Sequence, residues 1–322
     1  MSTTTDLPAK PGIVSLAGQE AGRPPQSLAA LSWRRFRRHR MAMFGLVLLV
    51  ALVLYVVGGS LATSETYANF NDTSIRVQPP SAEHPFGTDE IGRDILARTI
   101  YGGQISLLIG VLSVVLSLTV GTIIGVLSGY YGGAVDSLLM RMTEAILSIP
   151  TLLLLLVMAK FFGGRIPDIS AFGRSFSGSV IVIIVIIGLT GWTYLARLVR
   201  SSYLSLKEQE YVLAARALGA RDRQIMWLHI LPNATAPILV SATLGVAGAI
   251  LTEAYISFLG LGVQAPTATW GSMMQGATGA ITRGQWWLWF FPGLLIILTV
   301  LSINFLGDGL RDALDPRTDR KM

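Results

Sequence analysis

The chain has 322 residues, 52% of them hydrophobic and 14% charged, with a formal charge of +6 and no cysteine. A mean hydropathy of +0.57 belongs to a membrane protein rather than a soluble domain. The missing cysteines exclude a disulfide framework, a thiolate metal site and a cysteine nucleophile. The basic residues flank apolar runs instead of sharing one soluble face, which excludes nucleic acid as the reason for the charge.

Residues 1–33 scatter Pro, Gly, Ser and Thr without periodicity and read as a disordered cytoplasmic tail. Residues 34–62 join the basic cluster "RRFRRHR" to the apolar run Met41–Ala62, too long and too far along the chain for a cleavable signal peptide, and read as a retained signal anchor. Residues 63–104 are longer than a connection needs. The Pro and Gly content of "PPSAEHPFGTDEIGRDILART" within them predicts an ordered extracytoplasmic loop leading into a short helix. His84 and Asp89 there fit the H-x-x-x-x-D pattern of lipid acyltransferases. That pattern arises readily by chance, and a cytoplasmic acyl thioester would not reach an external loop.

Residues 105–310 form the core, with apolar runs at about Ile105–Gly129, Leu138–Phe162, Ser179–Val199, Ala236–Leu261 and Trp287–Leu306. A helix needs roughly 20 apolar residues to cross about 30 Å of hydrocarbon, so the expected fold is all-α and polytopic, with six transmembrane helices. Gly121, Gly125 and Gly129 repeat every four residues and make a smooth stripe for helix packing. Glu144, three residues after Arg141, reads as one half of an ion pair or as a snorkelling side chain, and Pro150 predicts a kink in the third span. Glu253 is an ionisable group inside the fifth span, a candidate for the translocation path or a holder of the loop that follows. Residues 311–322 read as a cytoplasmic tail, with Asp308 and Arg311 as an exposed i, i+3 pair.

With the N-terminus inside, the cytoplasmic segments hold about 18 of the 25 basic residues, so both termini are expected in the cytoplasm. His39, His84 and His229 all lie outside the spans, which leaves no base for an intramembrane serine hydrolase. The spans show no pore-lining polar stripe of the kind a stand-alone channel would need.

The segment 205–232 interrupts the apolar pattern. Tyr211, Ala214, Ala215 and Leu218 fall on one helical face, and Gly219 is placed to end that helix at positive φ. Asp222 is placed to cap a second short helix containing Ile225, Met226 and Leu228, which Pro232 would stop. The turn would expose Arg216, Arg221 and Arg223. It reads either as a docking surface for a partner or as a solvated basic loop.

"AARALGARDRQIMWLHILP", Ala214–Pro232, resembles the EAA loop of binding-protein-dependent ABC importer permeases. Ala214, Ala215, Gly219, Leu231 and Pro232 are in register, while Leu213 and His229 stand where the motif has Glu and Ile. His84–Leu107 and Glu253–Met274 resemble the external loop and the end of the fifth span in the C-type dipeptide and oligopeptide permeases. The resemblance implies a type I importer permease in a bacterial plasma (inner) membrane, whose hairpin couples to an ATPase. Coupling would then use Ala214, Ala215, Arg216, Leu218, Gly219, Ala220, Arg221, Asp222, Arg223, Leu231 and Pro232. The implied partners are a second permease in a heterodimer, two ATP-binding cassette subunits, an extracytoplasmic substrate-binding protein and membrane lipid. ATP and Mg would be bound by the partner subunits, and no cofactor by this chain, which has no G-x-x-x-x-G-K-[ST] loop. Cargo stays open between di- or oligopeptides and nickel complexes, haem or another small solute.

Overall fold

The computed structural model describes residues 28–171 and 174–314. Helix α1 (Leu28–Arg38) is amphipathic. It is followed by α2 (Arg40–Ala62), capped by His39, whose Nδ1 accepts from the Ala42 N–H at 3.1 Å. Residues 28–33, expected in the disordered tail, are helical because Phe36 packs with Ala42 and Ala313 and stacks on Trp33. Residues 1–27 and 315–322 of the expected tails lie outside the described residues.

The loop after α2 holds α3 (Glu65–Asn69) and a 3-10 turn, Thr73–Ile75. Helix α4 (Ile95–Tyr131) starts ten residues before the expected span because the Asp94 carboxylate accepts from the Ala97 N–H at 2.8 Å. Its 37 residues extend about 55 Å, more than the hydrocarbon thickness. Gly132, at φ 66°, ends it.

The third span is not one kinked helix. Helices α5 (Gly133–Leu147) and α6 (Thr151–Phe162) meet at 81° across Ser148–Pro150. Proline both lacks the N–H and pushes Ile149 out of helical conformation. Arg141 and Glu144 are both exposed on α5 and no ion pair joins them, so of the two roles read for Glu144 the ion pair is not formed. A short antiparallel hairpin, β1 (Ile169–Ala171) and β2 (Arg174–Phe176), leads into α7 (Gly178–Leu206).

Helix α8 (Glu210–Ala217) is followed by α9 (Asp222–Gln224), a π-helical turn Ile225–Ile230 and α10 (Leu231–Phe258). Pro232 does not stop this run: Asp222–Phe258 is continuous. The proline sits in the first turn of α10, after the π turn, where a missing N–H costs little. Helices α11 (Trp270–Met273), α12 (Ala277–Thr282) and α13 (Trp287–Leu314) complete the described chain. Among the described residues five helices are long and apolar enough to cross a membrane, six spans when α5 and α6 count as one broken span.

The bundle is organised on α4 against α7. A Cβ on Gly121, Gly125 or Gly129 would lie 2.8, 2.6 or 2.6 Å from Trp192 O, Ala196 O or Tyr203 Cβ. These glycines are therefore where the two backbones approach most closely. On the other side α2 packs on α13, where Gly45 abuts Ser302 and Phe305, and α13 packs on α10, where Gly307 abuts Leu244. At the hairpin end, Gly309 receives Phe36 and Ala42, and His39 Nε2 lies 3.4 Å from Asp312. Asp308 and Arg311 make no pair.

Candidate functional site: a braced hairpin and a cavity

The hairpin 205–232 is part of the bundle's packing rather than an appendage. Val212 of α8 is fully buried, and Ile225, Met226 and Ile230 join it in one cluster with Val126 and Tyr130 of α4 and Val199 and Tyr203 of α7. Two tyrosines brace it. The Tyr203 hydroxyl, at the end of α7, donates to Met226 O at 2.8 Å, and the Tyr130 hydroxyl donates to Asp222 Oδ1 at 2.5 Å. The same ends of α4 and α7 are tied to α5, because Arg200 donates to both Asp136 oxygens at 2.5 and 2.6 Å and the Ser128 hydroxyl also donates to Asp136.

Gly219 adopts φ 81° with nothing within 4 Å of a Cβ position, so the turn is open to solvent. Leu218 beside it is 88% exposed, and Arg216, Arg221 and Arg223 are exposed as well. An apolar tip ringed by three guanidinium groups is the surface a charged, grooved partner would fit. Ala214 is exposed and Ala215 and Ala220 are half-buried, while Leu231 packs beneath the turn and Pro232 faces outward.

Asp222 is not the cap of the second helix. Arg221 occupies the cap position, its N–H donating to Gln224 Oε1 at 3.0 Å, and Asp222 in the first turn serves Tyr130 instead. Val212, Tyr130 and Tyr203 brace the hairpin, and the sequence did not single them out. Tyr203 and Val212 carry an apolar-periodicity signal, but nothing local marks a contact between positions 130 and 222.

A cavity of about 790 Å³ lies among α4, α6, α7, α10 and α13. It runs from Ser113, Ile187 and Thr252 in mid-bundle to Ala236 and Arg311 at the hairpin end. Most of its hydroxyls bond their own or the adjacent helix backbone. Ser117 donates to Gly188 O at 2.8 Å, Thr190 to Ile186 O at 2.9 Å and Thr252 to Gly248 O at 2.8 Å. Arg311 is the one charged side chain among the described residues that line it.

Glu253 does not line this cavity. It is fully buried toward the opposite end, accepting from Ser257 Oγ at 2.7 Å and Ser106 Oγ at 3.3 Å. Ser106 Oγ in turn accepts from Trp270 N–H at 3.1 Å, and Trp270 Nε1 donates to Thr99 O at 2.8 Å. Glu253 therefore fastens the loop after α10 to α4. Nor do His84 and Asp89 form a dyad: His84 Nδ1 pairs with Asp94 Oδ2 at 2.8 Å, while Asp89 holds Arg93.

Residues 121–320 match the family described as binding-protein-dependent transport system inner membrane component, and residues 27–80 match the N-terminal TM domain of oligopeptide transport permease C. The dipeptide transport system permease protein DppC of Bacillus subtilis (strain 168) is 40% identical over 298 residues, covering 92% of this chain and 88% of that protein. The oligopeptide transport system permease protein OppC of the same organism is 41% identical over 283 residues, 88% of each chain. An inward-facing structure of the MetNI methionine ABC transporter superposes with a TM-score of 0.52 at 20% identity, over 69% of this chain and 98% of that one, a likeness of fold alone.

Proposed function

The chain belongs to the binding-protein-dependent transport system inner membrane components, and we propose that it is one of two permeases forming the path of an ATP-driven importer for di- or oligopeptides. Two ATP-binding cassette subunits would supply the energy, with ATP and Mg bound there, and an extracytoplasmic binding protein would deliver the cargo. Both termini and the hairpin face the cytoplasm in this reading, in keeping with the basic bias of those segments.

The observation that carries it is the bracing of the hairpin. The residues beneath its exposed basic tip, Val212, Ile225, Met226 and Ile230, share one packed cluster with the ends of α4 and α7, and the middles of those helices line the 790 Å³ cavity. A displacement imposed at Gly219 by a closing ATPase dimer is thereby passed as a rigid-body motion to the cavity walls. The relatives named for dipeptide and oligopeptide transport supply the cargo assignment.

Gly219→Val tests the coupling. A β-branched residue at φ 81° costs about 1–3 kcal/mol of strain, enough to reshape an exposed turn while the anchors Val212 and Tyr203 hold the bundle together. In proteoliposomes of the assembled importer, ATP hydrolysis should persist while peptide uptake falls at least about tenfold. Unchanged uptake would sink the role given to the hairpin.

A further inference from the structure

Between Leu28 and Met41 the chain places five arginines and no carboxylate. Helical spacing sorts them. Trp33, Arg34, Arg37 and Arg38 fall on one face of α1 and all four are exposed, while Leu31, Ser32, Arg35 and Phe36 turn toward the bundle. Phe36 seats that second face against Ala42 of α2 and against Gly309 and Ala313 of α13. Helix α1 is therefore docked, and its basic face is left uncovered.

The charged groups near α1 come from these two helices. Helix α2 supplies Arg40, and the end of α13 supplies Asp308, Arg311 and Asp312, all exposed. Asp312 lies 3.4 Å from His39 Nε2. Among the described residues no carboxylate comes within ion-pair distance of Arg34, Arg37, Arg38 or Arg40. Depth is fixed by α13. Trp286, Trp289 and Phe290 cluster at its start, as aromatic side chains do at a membrane interface. About 20 helical residues cross about 30 Å of hydrocarbon, which brings Gly309, and α1 upon it, to the headgroups of the other leaflet.

We propose that α1 and Arg40 form a binding surface for the headgroup phosphates of anionic phospholipids in the leaflet at the hairpin end. Guanidinium groups are suited to phosphate oxygens, and Trp33, 56% exposed beside them, is an amphipathic ring of the kind that sits at headgroup level. Arg40 also heads a stripe at helical spacing, Phe44, Val47 and Leu54, that runs exposed along α2. That stripe gives acyl chains an apolar wall below a phosphate held by Arg40, which a soluble anion would not use. A general bias of basic residues to one side of the membrane needs only their number, whereas here they are held at one depth on one face of a docked helix.

The test uses the full chain in mild detergent, incubated with equal amounts of phosphatidylglycerol and phosphatidylcholine of the same acyl chains, with retained lipids counted by native mass spectrometry. Phosphatidylglycerol should be retained at least about fivefold over phosphatidylcholine, and the excess should shrink in roughly 1 M salt. Replacing Arg34, Arg37 and Arg38 together by Gln should remove the preference, and replacing them by Lys should keep most of it, with melting curves showing that each variant is folded. Replacing Arg216, Arg221 and Arg223 by Gln, the same change of charge at the hairpin, should leave the preference in place. Equal retention of the two lipids by the unaltered chain overturns the surface whatever the variants do. So does a preference that survives the Gln changes on α1, or one lost equally from both Gln variants, which would make it a property of net charge.

Discussion

Glu253 is the residue for which the sequence leaves two readings open, a place on the path and a hold on the loop that follows. It accepts from Ser106 and Ser257, and Ser106 in turn accepts from the Trp270 N–H of the loop after α10. Glu253→Ala would strand the hydroxyls of Ser106 and Ser257 at about 1–3 kcal/mol each. The chain should then melt several degrees lower in detergent and be cut faster by protease between residues 259 and 269, whereas Glu253→Gln, which keeps an acceptor, should lose far less. Equal melting temperatures for the two variants would refute the hold that Glu253 has on the loop. What the sequence hid here is distance: Ser106 and Trp270 lie 147 and 17 residues from Glu253. Distance along the chain also hid the partner of His84, which is Asp94, ten residues on.

Between elements, the glycine stripe was legible because its period is that of a helix, although the sequence could not say which helix it meets. The structure answers with α7. Gly125→Leu would drive a side chain into Ala196 O and Val199, where even a Cβ sits at 2.6 Å, an overpacking that costs about 1–3 kcal/mol or more. The expected result is a lower melting temperature and a hairpin more open to protease, since Val199 also belongs to the cluster beneath it; Gly125→Ala should show the same changes in smaller measure. A Gly125→Leu chain as stable as the parent would mean that α4 and α7 are not in close contact. The spans themselves were readable from length alone, because hydrocarbon thickness fixes it. The break at Pro150 was readable only in part: the proline rule yields a kink, while an 81° turn depends on what α5 and α6 pack against, which no local signal records.

For the whole molecule, the exposed guanidinium groups of Arg216, Arg221 and Arg223 give the proposed ATPase contact an electrostatic component. Replacing all three by Ala should weaken co-purification of the ATPase subunits, and the difference from the parent should shrink as salt rises and the Debye length falls from about 10 Å at 0.1 M to about 3 Å at 1 M. A loss of assembly equal at all salt concentrations would assign the contact to Leu218 and helix packing instead. The bent pair α5–α6 carries another consequence. Among the described residues α5 buries Thr143 alone and α6 only Leu155 and Ala159, while Leu138, Met142, Leu153, Val157 and Phe161 face outward on either side of the bend. In the proposed heterodimer, a copy without its companion permease would leave this poorly supported elbow within reach of membrane quality-control proteases, which act on locally unfolded segments. Pulse–chase half-lives should therefore lengthen when the companion is co-expressed, and equal half-lives would refute this. Surplus copies would be cleared, and the cell's stock of finished transporter would follow whichever subunit is made in the smaller amount.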